Sequence, residues 1–205
     1  MNPRHTEPES PETTRRVLEV ELLALDLTSC TRCTGTLAHV EEAIAAVQRA
    51  AEPTGTSIRL RKTLVDSEEA ARRHRFVSSP TIRVGGRDVV FETRESLCDS
   101  CTDLCGCAEG TSCRVWSYRG REYTEAPVGL VVEALLREIA GSPAAAAAPV
   151  VAGDEVPANL RRFFAGRAER GAGSAAGCCS AAEKETCCAP SQKASCCAPD
   201  ASSCA

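Results

Sequence analysis

Reactive groups in this chain are concentrated at sulfur: 14 of its 205 residues are cysteine, and they fall into three groups. The first is Cys30-Thr31-Arg32-Cys33, at the junction of an apolar, strand-like segment and a helix-like one. A thiol at the start of a helix meets unpaired backbone N–H groups and the positive end of the helix dipole, and both favour the thiolate. Arg32 adds a cation. Cys30 is therefore expected to be the more acidic sulfur and the attacking nucleophile. Cys33, one turn further, is placed to resolve a mixed disulfide. The alternative is that the pair supplies two ligands to a metal ion, or is vestigial.

The second group is Cys98, Cys101, Cys105, Cys107 and Cys113. A CxxC pair lets two sulfurs hold one ion through a tight turn. Cys105-Gly106-Cys107 offers two more sulfurs and Cys113 a fifth. Four thiolates at about 2.3 Å make a closed structural zinc site. The spacing departs from the ferredoxin run, which disfavours an iron–sulfur cluster. The competing reading is a second dithiol that exchanges electrons with Cys30 and Cys33, and both readings stay open.

The third group recurs with a period of nine: Cys178-Cys179, Cys187-Cys188 and Cys196-Cys197, followed by Cys204. Adjacent Cα atoms are about 3.8 Å apart across a trans peptide, whereas an unstrained disulfide spans about 4.4–6.8 Å. Each adjacent pair is thus better suited to one soft ion, or to cysteines elsewhere, than to itself. Thiolates select zinc, Cu(I) and similar ions; the same logic admits arsenite and Hg(II). His5, His39 and His74 have no evident acidic partner and are expected to be solvated. No organic-cofactor motif, phosphate-cradling glycine loop or Ser/His/Asp arrangement is evident.

The elements that must position these sulfurs follow from periodicity. Val17 to Leu27 reads as a strand that becomes apolar on both faces, as a central strand does. Thr28 and Ser29 offer an N-cap for a helix with Leu37, Val40, Ile44, Val47 and Ala51 on one face. Pro53 to Gly55 ends it. Ser57 to Val65 reads as an edge strand. Asp66 and Glu69 make a capping box for a short helix through about Arg75. Thr81 to Val84 and Asp88 to Phe91 read as strands joined at Gly85-Gly86. After a Cys-rich loop at 93–123, Pro127 opens a last helix closed by Gly141.

The order β-α-β-α-β-β-α, with Cys30 to Cys33 after the first strand and Ser79-Pro80-Thr81 before the third, resembles the thioredoxin-like, glutaredoxin-like superfamily over residues 16–141. More narrowly it resembles a little-characterised bacterial branch with a Cys-rich loop before the last helix. The resemblance implies an α/β fold, a cis Pro80 beside the CxxC pair, and catalysis by Cys30, Cys33 and Pro80. A proline there donates no N–H and leaves the preceding carbonyl to pair with an extended substrate. The dipeptide Thr31-Arg32 is unlike the aromatic or proline-containing ones of characterised oxidoreductases, and the Cys-rich loop is foreign to them.

Flanking this domain are an expected disordered arm at 1–15, an Ala/Pro linker at 142–153, an amphipathic helix at 154–166 and a disordered tail at 167–205. Val156, Leu160, Phe163 and Phe164 share one face of that helix, with Gly166 as its stop. It is expected to dock on the chain's own surface, the alternative being a partner. Aromatics are only 3% of the chain, which excludes a single large core throughout, and the net charge of −4 gives no nucleic-acid footprint. With no secretory h-region and no membrane-length apolar run, a cytoplasmic protein is expected, its cysteines reduced. The function expected is a thiol–disulfide oxidoreductase, linked to a thiophilic metal or metalloid, with a thiol reductant or disulfide protein as partner. The alternative is a non-catalytic ion-binding protein on the same scaffold.

Overall fold

Alternation of Leu18, Val20 and Leu22 with Glu19 and Glu21 builds the strand on which the rest is assembled, β1 (Arg16–Ala24). In this computed structural model the described residues are 16–141 and 155–175. The expected arm, the linker and the seven cysteines from Cys178 to Cys204 lie outside them. The described residues divide into two compact units: 16–64, 79–94 and 114–141 in the first, and 65–78, 95–113 and 155–175 in the second.

The first unit is mixed α/β. β1 pairs in parallel with β2 (Thr56–Leu64) and antiparallel with β3 (Thr81–Val84), which pairs antiparallel with β4 (Arg87–Asp88), giving the order β2-β1-β3-β4. The parallel pair requires a crossover, and α1 (Thr31–Ala51) provides it. Val40, Ala43 and Val47 of α1 and Val131, Ala134 and Leu135 of α4 (Val128–Ile139) share a core with Val20, Leu22, Ile82 and Trp116. On the opposite face of β1, Glu21 is nearly buried between Arg61 and Arg83.

Strand β4 stops at Asp88, short of the expected Phe91. Asp88 accepts two hydrogen bonds from the buried Arg114 and one from the Val90 N–H, which turns the chain out of the ladder. His39 is not solvated as expected: its Nδ1 lies 2.9 Å from the Ala126 carbonyl.

The stretch expected as a Cys-rich loop is structured. It contains β5 (Arg94–Leu97), α3 (Asp99–Cys105), β6 (Ser112–Tyr118) and β7 (Arg121–Tyr123), the strands forming a sheet in the order β5-β6-β7. The second unit also holds α2 (Glu68–Arg73), whose N-cap is Ser67, accepting from the Ala70 N–H, and not the expected Asp66. Beside Phe76, its large buried side chains include four from α5 (Ala158–Ala175) and the turn before it: Val156, Leu160, Phe163 and Phe164. These pack α5 on α3, so the amphipathic segment docks on its own chain. The helix runs through Gly166, nine residues past the expected stop. A side chain at Gly166 would meet the Cys105 carbonyl oxygen at 2.5 Å, so glycine serves there as a close-approach residue. Among the described residues no helix is long and apolar enough to cross a membrane.

Candidate functional site

In the first unit α1 opens at Cys30. The expected caps, Thr28 and Ser29, do not start the helix. The Asp26 carboxylate gathers the N–H groups of Thr28, Ser29 and Cys30 at 3.0, 2.6 and 2.8 Å, and this Asx-type turn holds the chain extended until Cys30. Cys30 is thus the N-cap itself, its carbonyl accepting from the N–H groups of Cys33 and Thr34 at 3.1 and 3.0 Å. Partial burial opposes the charge on Asp26, but the three backbone donors outweigh it and hold the carboxyl at about 2.

Cys33 is the third helical residue, and both sulfurs are buried. Cys33 Sγ lies 3.4 Å from Ser79 Oγ. That hydroxyl oxygen accepts the Leu25 N–H at 3.1 Å, and the Ser79 carbonyl accepts the Arg114 N–H at 2.7 Å, so the residue that follows β1 and a residue of β6 both fix its position. The Ser79–Pro80 peptide is cis, as the resemblance implied. The Cys33 thiol is pushed far up, first by the neighbouring Cys30 sulfur and then by burial, against a smaller opposing pull from the Ser79 hydroxyl. In the pair, Cys33 is the sulfur that keeps its proton.

In the second unit Cys98 is the N-cap of α3 and Cys101 its third residue. The Cys98 N–H donates to the Thr111 carbonyl at 2.8 Å, and the Thr111 N–H donates to Thr102 Oγ1 at 2.9 Å. These bonds staple the start of α3 to the lead-in of β6. Cys98 and Cys101 are buried with sulfurs within 4.8 Å of each other, and Cys113 Sγ lies 3.2 Å from Cys101 Sγ. Cys105 and Cys107, expected with these as ligands, are joined in a disulfide around Gly106 and offer no thiolate in this state. Within the second unit, Cys98 and Cys101 are the described pair placed to hold one soft ion together. Two thiolates on one helical turn match the chelating habit of zinc and other thiophilic ions.

The sequence pattern of one protein family, described as a domain of unknown function (DUF2703), matches residues 18–135. The chain belongs to the DUF2703 family. That span takes in the Cys30–Cys33 pair, Pro80 and the five cysteines of the second group. No curated protein and no solved structure matches the chain.

Asp26 and Ser79 are the polar groups that sequence reasoning did not assign to the first site. An aspartate followed by Thr28 and Ser29 just ahead of a helix is a readable Asx-turn signal. Ser79 had none beyond adjacency to Pro80, because its contact with Cys33 spans 46 residues.

Proposed function

We propose that this chain is a thiol–disulfide oxidoreductase of thioredoxin-like architecture, acting through Cys30 and Cys33 and linked to handling of a thiophilic metal or metalloid ion. Supporting the architecture are the strand order β2-β1-β3-β4, with one parallel pair, and the cis Ser79–Pro80 peptide entering β3. The observation that carries the chemistry is a pair of sulfurs at the N-cap and third residue of a helix, the inner one held as a protonated thiol by the Cys30 sulfur and by burial. Cys30 thiolate attacks a substrate disulfide and releases one thiol. Cys33 then attacks the mixed disulfide, losing its proton and releasing the second thiol. The net change is protein dithiol plus substrate disulfide to protein disulfide plus two thiols. Both sulfurs are buried, so exchange proceeds through a local opening. A cytoplasmic setting would supply the thiol reductant that resets the pair.

A second reading, ion binding without turnover, is favoured by Cys98 and Cys101, two buried sulfurs within 4.8 Å of each other. The test that separates the two uses single serine variants and a small aromatic disulfide reporter. Under the redox reading Cys30→Ser lowers exchange to the uncatalysed background, while Cys33→Ser accumulates a stable mixed disulfide at Cys30. Exchange that survives Cys30→Ser, with no trapped adduct in Cys33→Ser, leaves the binding reading in its place.

A further inference from the structure

Within the second unit, Cys101 has two sulfur neighbours of different kinds. Cys98, one turn away at the N-cap of α3, is its chelating partner, within 4.8 Å. Cys113, the second residue of β6, is 3.2 Å away and contributed by a different element. A disulfide needs about 2.05 Å between sulfurs, so rotation of two side chains closes the Cys101–Cys113 gap with little backbone movement. The backbone is already fixed for it: the bonds from Cys98 to Thr111 and from Thr111 to Thr102 hold the start of α3 against the approach to β6. Cys105 and Cys107 are paired with each other, which leaves Cys98, Cys101 and Cys113 as the thiols of this segment.

We propose that Cys101 and Cys113 form a reversible disulfide, and that closing it withdraws Cys101 from the Cys98–Cys101 ion site, so that oxidation releases the ion. The ion half of this proposal rests on the soft-ion reading above; the disulfide half does not. Ligation needs a thiolate, and a sulfur engaged in a disulfide is no longer one. The oxidant is a low-molecular-weight disulfide. Its S–S bond breaks as the Cys101–Cys113 bond forms, two electrons pass to it, and it leaves as two thiol groups carrying the two protons.

The experiment uses the full chain with the seven tail cysteines, Cys178 to Cys204, replaced by serine, and cadmium(II) as the probe ion, followed by its thiolate charge-transfer absorption. The chain is titrated from reduced to oxidised dithiothreitol. At each step remaining thiols are alkylated, and the chain is cut after Asp and Glu. Asp99, Asp103 and Glu109 separate Cys98, Cys101, the Cys105–Cys107 turn and Cys113 into different peptides. The expected result is a peptide pair linked through Cys101 and Cys113, appearing at the same midpoint at which one cadmium equivalent is lost. The equivalent lost is the one that Cys98→Ser also removes. Cys113→Ser should hold that equivalent throughout the titration. Cys101 alkylated after full oxidation, or linked to Cys98, overturns the proposal, and the disulfide map that decides this needs no variant of these three residues. Cadmium retained once the linkage is complete overturns the gating. A linkage that forms in a chain with no Cys98-dependent cadmium signal refutes both the gating and the soft-ion reading, and leaves a bare redox couple.

Discussion

Cys30 to Cys33 and Cys98 to Cys101 place the same two sulfurs at the same two positions, N-cap and third residue, of two helices that differ in almost everything else. Helix α1 has 21 residues and an apolar face of its own; α3 has 7, too few to hold without tertiary support. The start of α1 is set by a carboxylate, Asp26, and the start of α3 by the backbone of Thr111. The inner sulfur meets a hydroxyl in one case, Ser79, and a third thiol in the other, Cys113. Identical spacing therefore does not fix the chemistry. The group brought in from a distant segment decides whether the inner sulfur of the pair faces a hydroxyl or a further thiol.

The contrast in support is the easiest to break. Phe163 is fully buried on the face of α5 that packs on α3. Phe163→Ala is expected to destabilise α3 by about 3–5 kcal/mol, read as lost amide protection over Asp99–Cys105 and faster alkylation of Cys98 and Cys101. Unchanged protection would remove α5 as the support. Next in size is Gly166→Ala. Alanine usually improves a helix interior by about 1 kcal/mol over glycine. Here the new Cβ would meet the backbone oxygen of Cys105 at 2.5 Å and Cys107 Sγ at 3.0 Å. The expected net is a loss of about 1–3 kcal/mol, seen as a lower denaturation midpoint.

The contrast in capping is sharpened by Asp26→Ala. With its carboxyl lowered from 3.8 to about 2 in the folded chain, Asp26 stabilises above pH 4, and this contribution is lost as pH falls toward 2. The group is partly solvated, so screening limits the effect to about 1 kcal/mol. Wild type and variant should differ in denaturant midpoint at pH 7 and converge near pH 2. A constant difference across that range would mean the carboxylate does not cap α1. The smallest effect is expected at Gly35 in α1. The atoms nearest a Cβ there belong to the end of the Glu125 side chain, which can swing aside. Gly35→Ala should fall within about 1 kcal/mol of wild type, in contrast with Gly166→Ala.

Legibility followed sequence separation. β1, α1, β2, β3 and α4 were readable because each carries its own periodicity and stop signals, such as Gly55 and Gly141 with positive φ. Both CxxC pairs were readable because four residues contain them. The secondary structure within 93–123 was not: α3 is about two turns of mostly small polar residues and cysteines, helical because Thr111 and α5 hold it. The start of α1 was misplaced by one or two residues because Thr28 and Ser29, good caps by type, are engaged by Asp26 instead. The Cys101–Cys113 approach joins residues 12 apart across a helix and a strand, and no local pattern encodes it.

The most direct test of the first pair is its proton distribution. Cleavage after Arg32 places Cys30 and Cys33 in separate tryptic peptides, so each can be followed by mass spectrometry in the intact, reduced chain as iodoacetamide reacts over a pH series. The expected result is alkylation of Cys30 at neutral pH while Cys33 stays a thiol well above the ordinary cysteine value of about 8.5. Two sulfurs that titrate together at that ordinary value would contradict the assignment of Cys30 as nucleophile and Cys33 as the resolving thiol.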